Sequence, residues 1–103
     1  MICRLSIVAL ILLLLASVAQ AEEKVVSIRD LSFSPAQITV SVGDTVIWRN
    51  EDDRDHSVVA DDKSFGSGNI KPKGKYAHAF GQKGTFSYSC SYHPRMKGTV
   101  VVQ

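Results

Sequence analysis

After Ala21 no stretch of this chain keeps a 3.6-residue apolar period for more than one turn. Apolar residues instead alternate with polar ones in short runs, separated by Gly, Pro, Asn and Asp. A helix cannot bury a stripe with that pattern, whereas a strand buries one face with it. The fold class expected is therefore all-β. Candidate strands are 25–29, 37–42, 45–50, 57–60, 75–80, 85–90 and 98–102, and about seven short strands fit one small β-sandwich. Ile38, Val40 and Val42 alternate with Thr39 and Ser41, and Val46 and Trp48 resume the alternation after Gly43-Asp44. That pattern predicts a hairpin over 37–50 with a tight turn at Gly43-Asp44. The polar stretch 61–74 reads as a connection with room for one short strand around Asn69 and Ile70. There is no internal repeat and no second domain.

The first 21 residues read differently. Arg4 precedes an apolar run from Leu5 to Ala19, and Ala19-Gln20-Ala21 is a small-x-small pattern of the kind a signal peptidase cuts. Residues 1–21 are expected to be a signal peptide and 22–103 a domain that is periplasmic or otherwise exported. The competing possibility is a retained membrane anchor, because the run is about the 20 residues a bilayer needs. Cys3 lies ahead of the apolar run, which argues against a lipid-modified cysteine at the cleavage point.

Cleavage would leave 82 residues, short enough that a hydrophobic core alone stabilises the domain only marginally. Small exported domains commonly add disulfides, yet loss of Cys3 leaves Cys90 as the only thiol. An unpaired thiol in an oxidising compartment has to be buried or metal-bound, which marks Cys90 as a functional candidate. Charge is nearly balanced, with 12 basic and 10 acidic residues in the whole chain and no long run of one sign, so no nucleic-acid partner is expected. The cluster Glu51, Asp52, Asp53 and Asp55, and the later Lys71, Lys73 and Lys75, read as solvated loops.

The segment Cys90-Ser91-Tyr92-His93-Pro94-Arg95-Met96 places a thiolate, an imidazole and a thioether at steps of three. If Cys90 ends a strand, a tight loop turns all three side chains toward one point, and Pro94 stiffens it by fixing its own φ and restricting His93. His56, placed between two strands, can meet that loop at one pole of a sandwich. Two imidazoles, one thiolate and a weak axial thioether form the ligand set of a blue copper site. Zinc is the lesser option, since structural zinc sites take four strong Cys or His ligands. His78, which shares strand parity with Tyr76 and Phe80, reads as structural. Cysteine-based catalysis is disfavoured because the CxxC redox motif is absent, so the chain is not expected to be an enzyme.

The residues Phe33-Ser34-Pro35, the run from Val42 to Asn50, His56-Ser57-Val58 and the run from Gly84 to Cys90 through His93, Pro94, Met96 and Gly98 resemble the landmarks of the cupredoxins, the plastocyanin and azurin family. The short spacing from His93 to Met96 is similar to that of the amicyanin type. The resemblance implies a Greek-key sandwich with one type 1 copper ion held by His56, Cys90, His93 and Met96. It also implies single-electron transfer through the exposed edge of His93 to transient redox partners, such as a c-type cytochrome, an oxidase or a dehydrogenase, docked over Pro94 and Pro35. A monomer is expected. Three positions depart from the family pattern: Ser57 stands where many relatives have Asn, Tyr92 where Pro is common and Arg95 where the amicyanin type has an aromatic residue. The same four ligands would also serve copper storage or delivery, which is the alternative function.

Overall fold

The computed structural model describes residues 20–103, and among these it contains strands and turns but no helix. No helix of the described residues is long and apolar enough to cross a membrane. The signal-peptide expectation lies outside the described residues except for Gln20 and Ala21.

Eight strands run in chain order: β1 Glu23–Arg29, β2 Ser32–Ser34, β3 Gln37–Val40, β4 Thr45–Asn50, β5 Val59–Ala60, β6 Lys75–Ala79, β7 Gly84–Ser89 and β8 Lys97–Val102. They form two four-stranded sheets with orders β2-β1-β4-β6 and β3-β8-β7-β5. Each sheet holds one parallel pair, β1 with β4 and β3 with β8, because the chain repeatedly crosses from one sheet to the other. The all-β sandwich is as expected, with one strand more than the sequence suggested. The extra strand, β2, has three residues and shows too few alternations to stand out.

The expected 37–50 hairpin does not form. Its two strands lie in different sheets, and Gly43-Asp44 carries the chain between them. The turn is closed by Asp44, whose carboxylate accepts the N–H groups of Ser41 and Glu22 at 2.8 and 2.9 Å. Gly43, at φ +96°, donates to the carbonyl of Phe80 at 2.8 Å. The expected strand 57–60 shrinks to Val59–Ala60 because the N–H groups ahead of it go to side chains: Ser57 N to Cys90 Sγ and Val58 N to Ser67 Oγ. The expected short strand near Ile70 is a single bridge between His56 and Ile70.

Alternation fills the space between the sheets. Val26, Ile28, Val46 and Trp48 come from one sheet and Val40, Tyr88, Val100 and Val102 from the other, all buried. Trp48 is fully buried at the centre, stacked on Tyr76 and Phe65 and edge-on to Tyr88. Aromatic burial on this scale is the dominant stabilising term for so small a domain. His78 packs on Phe65 and against Phe80, and burial pushes its pKa down, as befits a structural ring.

Tyr88 and Gly98 are register partners in the β7–β8 pair, and the phenol lies directly over the glycine. A Cβ at Gly98 would sit 2.3 Å from Tyr88 Cζ, so only glycine allows this approach. The contact pins both stems of the 90–96 loop. That loop therefore leaves the sandwich from a fixed base.

Candidate metal centre

At the end of β7 the chain stops pairing as a strand and turns tightly. His93 N–H donates to the Cys90 carbonyl at 3.3 Å, Met96 N–H to the His93 carbonyl at 2.9 Å, and Cys90 N–H to the Met96 carbonyl at 3.1 Å. These three bonds close the loop on itself and bring the backbone of Met96 beside that of Cys90. Cys90 and Met96 are buried, and His93 is half-buried.

His56 approaches from the other side. Its backbone is bridged to Ile70 in both directions, His56 N to Ile70 O at 3.0 Å and Ile70 N to His56 O at 2.7 Å. Its ring is fully buried, and Nδ1 lies 3.8 Å from Cys90 Sγ. His93 Nδ1 lies 3.8 Å from the same sulfur. One donor atom from each of His56, Cys90 and His93 falls within 4.8 Å of the others.

The chemistry of these donors fits a soft, thiolate-preferring metal. Burial would raise the Cys90 pKa, but hydrogen bonds from His56, His93 and the Ser57 and Tyr92 backbone outweigh it and bring it down to about 6. The sulfur is thus poised as the thiolate that a metal ligand must be. Ser57 N–H donates to that sulfur at 3.4 Å, a contact of the kind that tunes redox potential in copper–thiolate sites. Ser57 Oγ also accepts the Ser91 N–H at 2.8 Å and shares a 2.7 Å hydrogen bond with Ser91 Oγ. The serine thereby ties the His56 loop to the Cys90 loop.

The structure brings together His56, Cys90 and His93 as the sequence proposed, with Met96 buried in the same loop. It also shows residues that sequence reasoning missed. Asp52, read as part of a solvated acidic cluster, has its side chain 13% exposed and its Oδ2 2.7 Å from His56 Nε2. Its carboxyl is held below the usual range: burial acts upward, but bonds from Leu31 N–H, the His56 ring and Asp30 N–H outweigh it. The i,i+4 spacing to His56 was the only available sign. Buried Asn50 organises the intervening loop by donating to the Arg54 and Ile70 carbonyls, both at 2.9 Å, and accepting the Asp52 N–H at 3.0 Å. A shallow cavity lined by Leu31, Tyr92, His93, Pro94, Arg95 and Met96 lies over the site. Pro35 is exposed but is not among its lining residues, whereas Leu31, unremarked in the sequence, is.

Known proteins resemble this chain in both sequence and structure. The sequence model of the cupredoxin-like domain matches residues 4–102. Amicyanin from Paracoccus denitrificans is 33% identical over 84 residues, covering 77% of this chain and 64% of its own length. Plastocyanin from Scenedesmus fuscus is 34% identical over 86 residues, covering 71% of this chain and 88% of its own. Among solved structures, a purple cupredoxin from Nitrosopumilus maritimus superposes with a TM-score of 0.75 at 26% identity, covering 78% of this chain and 99% of that one. An amicyanin variant in its Cu(I) form superposes with a TM-score of 0.74 at 34% identity, covering 85% and 88%. The chain spans just under two thirds of the length of the first bacterial relative.

Proposed function

The chain belongs to the cupredoxin family, and from that premise we propose that it is an exported type 1 copper protein carrying single electrons between redox partners. Its cofactor is one copper ion. In this assignment His56 and His93 would hold the ion through their ring nitrogens, Cys90 through its sulfur and Met96 through its thioether. The single observation that carries it is the convergence of two imidazole nitrogens, each 3.8 Å away, on one buried sulfur.

When bound, copper supplies the Cu(I)/Cu(II) couple. The protein's part is to keep the donors still. The Tyr88–Gly98 contact, the closed 90–96 loop and the Ser57–Ser91 tie fix Cys90, while the Ile70 bridge and Asp52 fix His56. Donors held this firmly cannot relax toward different geometries for the two oxidation states, which keeps reorganisation small. The half-buried ring of His93 is the electron's exit, and the cavity bordered by Leu31, Tyr92, Pro94 and Arg95 is the docking face. Docking there buries less than about 1,200 Å², as transient redox encounters do. Partners are soluble redox proteins of the periplasm, such as c-type cytochromes, and the protein is a monomer and not an enzyme.

The test is the visible spectrum of protein purified after expression of the full chain and loaded with Cu(II), beside Cys90→Ser. An intense band near about 600 nm that the variant lacks is expected of a thiolate–copper site. A pale complex would sink the carrier assignment and put copper storage or delivery ahead of it.

A further inference from the structure

We propose that Asp52 is the positioning residue of the copper site: its carboxylate fixes the tautomer of His56, biases the site toward Cu(II) and, with the same atoms, locks the Asp30–Leu31 turn on the docking face. The proposal rests on the copper assignment above.

A neutral imidazole has one N–H and one lone pair, and the two nitrogens of His56 face different groups. Nδ1 faces Cys90 Sγ at 3.8 Å, and Nε2 faces Asp52 Oδ2 at 2.7 Å. An ionised carboxylate only accepts, so the proton must sit on Nε2 and the lone pair of Nδ1 must point into the site. The ring is fully buried, so no water replaces that partner.

The carboxylate is itself held on several sides. Oδ1 accepts the Asp30 N–H at 2.7 Å, Oδ2 also accepts the Leu31 N–H at 3.1 Å, and the Asp52 N–H donates to Asn50 Oδ1 at 3.0 Å. Asp30 and Leu31 form the two-residue turn between β1 and β2, with Arg29 paired to Ser32 on either side. Both have positive φ, +52° and +57°. A two-residue hairpin turn of this hand favours Asn and Gly, and the left-handed region strains a residue such as leucine. Acceptance of both turn N–H groups by one carboxylate offsets that strain. Leu31, 44% exposed, is thereby held at the rim of the cavity over His93.

A negative charge hydrogen-bonded to a ligand imidazole makes the ring a better donor and favours the more positive oxidation state. Asp52→Asn keeps the shape and an oxygen that still accepts the Nε2 proton, but it removes the negative charge and leaves the Asp30 N–H facing an amide N–H. Loss of such an outer partner commonly weakens metal binding about 10–100-fold. We expect Cu(II) affinity to fall about tenfold more than Cu(I) affinity, which raises the one-electron midpoint potential by about 59 mV.

The experiment compares wild type, Asp52→Asn and Asp52→Asn with Leu31→Gly, the glycine removing the strain of the turn. The expected result is a raised midpoint in both variants with the visible band retained. An unchanged midpoint in Asp52→Asn, or a rise that Leu31→Gly abolishes, would overturn a direct role toward His56. If Asp52→Asn alone does not fold, the double variant carries the same readouts. Nitrogen-15 shifts of the His56 ring in the metal-free proteins give an independent reading. The proton is expected on Nε2 in wild type, and a proton on Nδ1 there would overturn the proposal. Absence of the band in wild type would sink the copper assignment alone, since the tautomer is read without metal.

Discussion

The two ends of this sandwich are each closed around an aspartate, by different means. At the end away from the copper site, Asp44 accepts only backbone N–H groups, and around it backbone pairs with backbone: Val42 N to Gln103 O, Gly43 N to Phe80 O, Phe80 N to Asp44 O and Thr45 N to Glu22 O. At the site end, side chains take over much of that pairing. Asn50 holds the 50–56 loop, Ser57 is tied to Ser91, Ser67 takes the Val58 N–H, and Asp52 serves two backbone N–H groups and an imidazole. The difference follows from what a metal cup requires. A strand ladder points successive side chains to opposite faces, so several donors cannot converge while their backbones stay laddered. Segments released from the ladder must find other partners for their N–H and C=O groups, and here polar side chains supply them. Backbone pairing predominates at the ordinary end, and at the functional end polar side chains supplement the backbone bonds of the 90–96 loop and the His56–Ile70 bridge.

If that is correct, the largest single loss should come from Asn50→Ala. The Arg54 carbonyl and the Asp52 N–H lose their partner, and the Ile70 carbonyl keeps only His56. Removing partners from buried groups costs about 1–3 kcal/mol each, so a loss of about 3 kcal/mol is expected in chemical denaturation, together with weaker copper binding. A loss below about 1 kcal/mol would mean that backbone pairing holds this end too.

Asp44→Asn should be milder and confined to its own end. The Asp44 carboxyl is held below its ordinary 3.8 by the Ser41 N–H first and the Glu22 N–H next. Because its folded pKa is depressed, its contribution to stability is present above 3.8 and is lost as pH falls through the lower folded value. Wild type and variant should therefore differ most near neutral pH and converge as the solution is acidified below 3.8. The visible copper band should not move. A moved band would show that the two ends are coupled through the core.

The same contrast explains what could be read from the sequence. Alternation made β4 and β8 legible because their inward residues, Val46 and Trp48, Val100 and Val102, are local facts of the chain. The 90–96 ligands were legible because their spacing is short. The Gly43-Asp44 turn was misread because a hairpin turn and a crossing between sheets use the same residues, and only the distant partners β1 and β8 decide between them. Asp52 was hidden among acidic neighbours for a related reason. Its partners Asp30 and Leu31 meet it only after β1 and β4 have paired, and apart from its four-residue spacing to His56 nothing in its own surroundings distinguishes it from exposed Asp53.

Ser57→Ala is expected to cost about 1 kcal/mol, the net worth of an ordinary hydrogen bond. The hydroxyl that accepts the Ser91 N–H is lost, whereas the Ser57 N–H to Cys90 Sγ is a backbone contact and survives. The blue band should persist, and differential denaturation should show a greater loss in the copper form than in the metal-free form. Equal losses would show that the serine supports the loops without supporting the ligands.

The smallest effect should be at Arg95, where stability is not expected to change at all. Arg95 is exposed beside the ring of His93 and makes no ion pair among the described residues. Its charge is free to act on a partner, and an aromatic residue in its place would not act so. Exposed charges steer association chiefly within a Debye length, about 10 Å at 0.1 M salt and about 30 Å at 0.01 M. Arg95→Gln should therefore slow electron transfer to an acidic c-type cytochrome a few-fold at low salt, about 0.01 M, and very little at about 0.5 M. The slope of rate against ionic strength should flatten while the midpoint potential stays fixed. An unchanged slope would mean that partners meet this face through Leu31, Tyr92 and Pro94 alone, and that its one cation is a solvated ornament of the loop.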